Sequence, residues 1–149
     1  MAANSDVIHD TLSTQLGRYF DEYGWQFEKN NDTLFRTGFV GDTGQYDIWI
    51  RTTEHWIYFM IHPFIDPVTH PAARVEVART LLHANFTINM AKFAMDEAGE
   101  VSLSVELPID GFSYSHFADA LTAISHYADD HKQAFEDAAA IFDLNREVA

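Results

Sequence analysis

Several groups of residues in this chain are of types that do chemistry. The segment GFVGDTG places Gly38, Gly41 and Gly44 close together, a density found in loops that cradle phosphate. Of the eight histidines, His126 and His131 bracket Asp129 and Asp130, while His62 and His70 each precede a proline. Such imidazole and carboxylate groups are the donors that hold zinc. Ser113, Ser115 and His116 lie together, as a nucleophile and its base would, and Asp129-Asp130 and Glu136-Asp137 are adjacent carboxylates that acid–base catalysis could use.

Each group meets a simpler reading. A phosphate loop needs a helix directly after it, so that N–H groups and the helix dipole meet the anion. Here QYDIWIRT follows, alternating as a strand, and no lysine is near, so GFVGDTG reads as a hairpin turn. A zinc-binding helix sets its ligands four apart; the five-residue step from His126 to His131 turns the rings apart by roughly 140°. Ser113 and Ser115 stand where a helix cap is wanted, without a strained GxSxG elbow. Adjacent carboxylates on a helix most often mark a solvated face. No catalytic, cofactor-binding or metal-binding residue is assigned, and no cofactor is expected. The alternative left open is a small-molecule- or metal-sensing domain, its pocket lined by sheet aromatics with His62, His70 or His126.

Composition narrows the function classes. Twenty-three acidic against nine basic residues give a net charge of −14, a field that repels nucleic-acid phosphates and anionic membranes alike. The chain has no cysteine, which removes thiol catalysis, disulfides and thiolate metal sites. Its 149 residues suit a single domain spanning residues 1–149. The N-terminus lacks a basic stretch followed by an apolar one, and the longest apolar run, Trp56 to Ile61, is far short of the ~20 residues of a spanning helix. A cytoplasmic protein without a membrane or nucleic-acid partner is the expectation.

The elements that position these residues follow from periodicity. Ile8, Leu12, Leu16, Tyr19 and Tyr23 recur at helical spacing over Ser5 to Tyr23, with Ser5 or Asp6 as cap and Gly24 as stop. Trp25 to Phe27 is a short extended piece ending in the turn-forming Asn30-Asn31-Asp32. Strands are expected near Thr33–Val40, Gln45–Thr53 and His55–His62, closed by Pro63 and Pro67. A helix enters at Thr69-His70-Pro71 and runs to about Ala84, with Val75, Ala78, Leu81 and Leu82 inward. A hairpin follows: Asp96 pairs with Glu100, Gly99 takes the left-handed position, Met95 faces Val101 and Phe93 faces Leu103. A long final helix carries Phe117, Leu121, Ile124, Ala128, His131, Phe135, Ala138 and Phe142 along one seam. The fold class is α+β, an antiparallel sheet of about five strands with helices mainly on one face, in the order α-β-β-β-α-β-β-α.

The strand His55–His62 is apolar on both faces. Ile57, Phe59 and Ile61 point one way; Trp56, Tyr58 and Met60 point the other, beside Trp49 of the neighbouring strand. The second face is either covered from within or an interface, since Trp, Tyr and Met suit both. Trp49, Trp56, Tyr58 and Met60 are the candidate protein-interaction residues.

The patterns FRTGFVGDTGQYDIWIRTTEHWIYFMIHPF and LLHANFTINMAKFAMDEAGEVSLSVEL, with the order of elements, resemble the YbjN domain family over roughly Phe20 to Phe135. The family often has glycine where this chain has Ala91. The resemblance implies a bacterial sensory transduction regulator with a fold like type III secretion chaperones. It implies protein binding, a homodimer and a non-enzymatic role, and it transfers no catalytic residue.

Overall fold

The computed structural model describes the backbone of residues 2–148 and the side chains of residues 12–142. Ile8 and the candidate caps Ser5 and Asp6 lie outside the described side chains. Helix α1 (Ala2–Tyr23) leads into strands β1 (Phe27–Asn31), β2 (Leu34–Val40), β3 (Gln45–Thr52) and β4 (Trp56–Ile61). Helix α2 (Pro71–Thr87), strands β5 (Ala91–Met95) and β6 (Val101–Pro108), and helix α3 (Tyr114–Val148) complete the chain. The sheet has six strands in the order β1-β2-β3-β4-β6-β5, every neighbouring pair antiparallel.

The sixth strand is β1, the continuation of the short extended piece after Gly24. Its sequence FEKNN is almost wholly exposed, so it carries no alternation to read. It folds back on β2 through a turn in which the Asn31 side chain accepts from both the amide and the hydroxyl of Thr33, each at 2.9 Å.

The core lies between one face of the sheet and the three helices. Phe35, Ile48, Ile50, Ile57, Phe59, Leu103 and Val105 are fully buried on the sheet side. Phe117, Leu121, Ile124, Ala128 and Phe135 meet them from α3, with His131, Ala138 and Phe142 continuing the seam part-buried. Phe117 is the hub of an aromatic cluster in which Phe20 of α1 and Phe59 of β4 stand within 6.0 Å of its ring centre. Phe20 then stacks on Phe27 at 4.6 Å, joining α1 to the β1 end of the sheet. Burying side chains of this size contributes about 1.5–3 kcal/mol each relative to exposure.

Helix α2 departs from the expected orientation. Its buried positions are Ala73, Val77, Leu81 and Ala84, whereas Val75 and Leu82 are exposed. The helix is apolar on two sides, and the inward side, Val77 and Leu81 flanked by Ala73 and Ala84, is the one set against α3 and β5. Its entry is as expected, with Pro71 in the first turn. His70 is the cap, its Nδ1 accepting from the amides of Ala72 and Ala73.

The β5–β6 hairpin has the expected register, Met95 opposite Val101 and Phe93 opposite Leu103. The Asp96 amide donates to the Glu100 carbonyl at 3.0 Å, and Gly99 has φ +84°. The loop after β4 is tied to this hairpin through Phe64 N–H to the Val101 carbonyl and Val68 N–H to the Gly99 carbonyl.

Candidate functional site

Strand alternation sends Trp49, Trp56, Tyr58 and Met60 to the face away from the helices. Registers bring them together: Trp49 is opposite Met60, Arg51 opposite Tyr58, and Met60 opposite Ser104. The described side chains of all three helices pack on the other face, so among the described residues this surface is left uncovered by helix. Trp56 is 45% exposed, and Trp49, Tyr58 and Met60 are half-buried by their neighbours alone.

Charged groups frame the aromatic surface. The Arg36 guanidinium lies over the Trp49 ring at 5.4 Å and also pairs with Asp47 at 2.9 Å. On the β6 side Lys92 pairs with Glu106 at 2.7 Å. Rings on such a surface offer contact area at little entropy cost, and ion pairs at its border can exchange partners.

A second exposed apolar surface runs along α2. Val75 is 57%, Leu82 69% and Phe86 88% exposed. With Arg79 between them, the spacing of four, three and four places these residues on one stripe of the helix.

The other chemistry-bearing groups are held by structural bonds. The GFVGDTG turn does gather N–H groups around an anion, and the anion is internal. The Asp129 carboxylate on α3 accepts from the Asp42 amide at 3.0 Å, the Thr43 amide at 2.7 Å and the Thr43 hydroxyl at 2.6 Å. It comes so near that a Cβ on Gly41 would stand 2.6 Å from Asp129 Oδ1. The Thr43 hydroxyl first, then the two amides, hold the Asp129 carboxyl below its ordinary value of 3.8. A depressed folded pKa means stability that is present above the unfolded value and lost as the pH falls through the folded one. The wild-type chain should therefore exceed Asp129→Asn in denaturant midpoint near neutral pH, with the gap narrowing below about pH 4. A gap that stays constant down to about pH 2 would show that the ionised carboxylate is not what holds the turn.

His131 donates from Nδ1 to the Tyr127 carbonyl at 3.0 Å, and its ring packs on Phe93. Ser113 contacts Ser115 and His116 just before α3, and the Ser113 amide donates to His116 Nδ1 at 3.2 Å, a capping arrangement. His62, His70 and His126 line three different clefts: His62 beside Tyr46 and Trp49, His70 beside Phe142, and His126 beside Trp25 and Phe39 in a wide depression of about 1150 Å³. The cleft at His62, beside Tyr46 and Trp49, measures about 200 Å³, below the roughly 300 Å³ at which small-molecule pockets begin. No helix among the described residues is long and apolar enough to cross a membrane.

The model of the YbjN family, described as "Putative bacterial sensory transduction regulator", matches residues 13–137. No curated protein matches the chain in sequence. Solved structures share the fold at low identity. YbjN from E. coli aligns with TM-score 0.56 and 18% identity over 80% of this chain and 89% of its own. The Yersinia pestis type III secretion chaperone SycH, in complex with a stable fragment of YscM2, contributes a chain with TM-score 0.50 and 19% identity, over 78% of this chain and 95% of that one. A chain of the heterodimeric ExoU–SpcU complex from the Pseudomonas aeruginosa type III secretion system aligns with TM-score 0.53 and 16% identity, over 81% of this chain and 94% of its own.

Proposed function

This chain belongs to the YbjN family, and from that premise we propose that it is a non-enzymatic, chaperone-like regulatory protein that holds a segment of a partner protein against the open face of its sheet. The carrying observation is that Trp49, Trp56, Tyr58 and Met60 share a face that none of the described helical side chains covers. Proteins of similar fold have been solved as complexes with other proteins, which agrees with this reading. The groups best suited to catalysis, Asp129, Ser113 and His116, are engaged in turn and cap bonds, which favours binding over chemistry.

On the same reading the protein is a cytoplasmic, single-domain homodimer over residues 1–149, paired through the α2 stripe. Two copies each carrying −14 repel. Between Asp66 and Asp96 the chain has a single acidic residue, Glu76, so α2 is where that repulsion is least. An antiparallel pairing also matches the stripe to itself, bringing Val75 toward Phe86 and Arg79 toward Leu82 of a second copy.

A capture from native lysate, identified by mass spectrometry, tests the sheet face when wild type is run beside a Trp56→Ala/Tyr58→Ala variant. Both side chains lie on the open face, so the variant should keep its thermal midpoint while losing a bound partner about tenfold or more. A partner retained at wild-type level by the folded variant sinks the sheet-face assignment. Light scattering reads the second half directly, and a monomer at micromolar concentration removes it.

A further inference from the structure

We propose that His62, Asp96 and Glu100 form a site for a divalent transition-metal cation of the zinc type, where the end of β4 meets the β5–β6 hairpin. The proposal is independent of the protein-binding face. His62 Nε2 stands 2.9 Å from Glu100 Oε2. One donor atom from each of the three residues lies within 4.8 Å of the other two. Metal–ligand bonds of about 2.0–2.2 Å set neighbouring donors roughly 3 to 3.5 Å apart, so the histidine–glutamate spacing is already that of adjacent ligands.

The three residues are positioned by backbone that does not depend on the metal. Asp96 and Glu100 are opposed across the hairpin mouth by the Asp96 N–H to Glu100 carbonyl bond. His62 follows Ile61, which pairs with Leu103 of β6, and the Phe64 amide donates to the Val101 carbonyl two residues later. Asp96 Oδ1 accepts from the Ala98 and Glu100 amides at 3.0 and 2.9 Å, which fixes its carboxylate and leaves Oδ2 for a ligand. Outer bonds of this kind orient a metal ligand.

An ion pair alone explains less. An exposed histidine–carboxylate pair contributes little, and here a second carboxylate, that of Asp96, stands within 4.8 Å of both partners, a like-charge approach to Glu100 that a cation relieves. The neighbouring Arg74 does not serve as that cation, because its guanidinium donates to the carbonyls of Val68, Glu97 and Ala98. One imidazole nitrogen with two carboxylate oxygens is a borderline-to-hard donor set, suited to zinc or manganese rather than to copper(I). His62 and Glu100 side chains are each 36% exposed, leaving room for water in the remaining coordination positions.

The test is calorimetric titration of the chelator-treated full chain with Zn²⁺, with Mg²⁺ as a control. Saturable binding of one Zn²⁺ is expected, weakened at least about tenfold by His62→Ala and by Glu100→Gln, and unchanged in His70→Ala/His126→Ala. Slower amide exchange across 96–100 on adding Zn²⁺ locates the ion independently. Either of two results overturns the site: no saturable heat with Zn²⁺, or binding that survives both His62→Ala and Glu100→Gln.

Discussion

Replacing Gly99 with alanine is expected to destabilise the fold by about 4 kcal/mol, lowering the melting temperature of a chain this size by on the order of 10 °C. Gly99 is buried and sits at φ +84°, in the left-handed region. That dihedral alone costs an L-residue about 1–2 kcal/mol. The larger part is steric: a Cβ there would stand 2.2 Å from the Val68 carbonyl oxygen and 2.9 Å from Arg74 Nε. Backbone cannot yield cheaply at this point. The Val68 amide donates to the Gly99 carbonyl at 3.0 Å, and the Val68 carbonyl accepts from Arg74 Nε at 2.6 Å. Moving either strand apart loosens both bonds, at about 1 kcal/mol each, on top of overpacking of about 1–3 kcal/mol. Gly111→Ala is the control, with φ +76° and nothing within 4 Å of the added carbon. Urea denaturation should show a loss of about 1–2 kcal/mol there, the dihedral alone. Equal losses in the two variants would show that the close packing of Val68 and Arg74 on Gly99 contributes nothing.

The same hairpin shows what a sequence can and cannot express. Its register was legible because Phe93, Met95, Val101 and Leu103 alternate and Gly99 stands where the loop needs a positive φ. The α3 seam was legible for a similar reason, its apolar residues stepping by four and three for most of the helix. Strand β1 was only partly so: edge strands with exposed residues on both sides have no period to detect. Helix α2 misled because Val75 and Leu82 are of the same types as the inward Val77 and Leu81. With apolar residues on two sides, hydrophobicity alone does not say which side meets α3 and β5.

The candidate surfaces divide along the same line. Alternation in β3 and β4 was enough to put Trp49, Trp56, Tyr58 and Met60 on a common face. Whether that face is covered depends on where three helices go, which no local pattern states. The grouping of His62 with Asp96 and Glu100 needs still more. Asp96 and Glu100 were identifiable as a cross-strand pair, but His62 joins them only because β6 lies between β4 and β5. Strand order is a property of the assembled sheet, set by the α2 crossover, and it leaves no mark at His62 itself.

Asn85→Ala should be the second most damaging single change, at about 2–3 kcal/mol, although the side chain touches neither the core nor the open face. Strand β5 ends the sheet, and the amide and carbonyl of Phe93 are not used by β6. Asn85 satisfies both: Phe93 N–H donates to Asn85 Oδ1 at 2.7 Å, and Asn85 Nδ2 donates to the Phe93 carbonyl at 2.9 Å. The side-chain amide stands in for the peptide of a further strand. Alanine would leave two part-buried backbone groups without their partners, each costing about 1–1.5 kcal/mol. Asn85→Asp separates the two bonds, since a carboxylate still accepts from the amide but faces the carbonyl with like polarity. It should be no more stable than the alanine variant. Unplugging the edge also offers Phe93 to another chain, so both variants should self-associate on heating more readily than wild type. Stability within about 0.5 kcal/mol of wild type would mean that solvent serves the edge as well as Asn85 does. The helix end would then have no part in closing the sheet. The expected outcome instead makes β5 a closed edge, its outer Phe93 amide and carbonyl already taken and so withheld from strand addition by a partner.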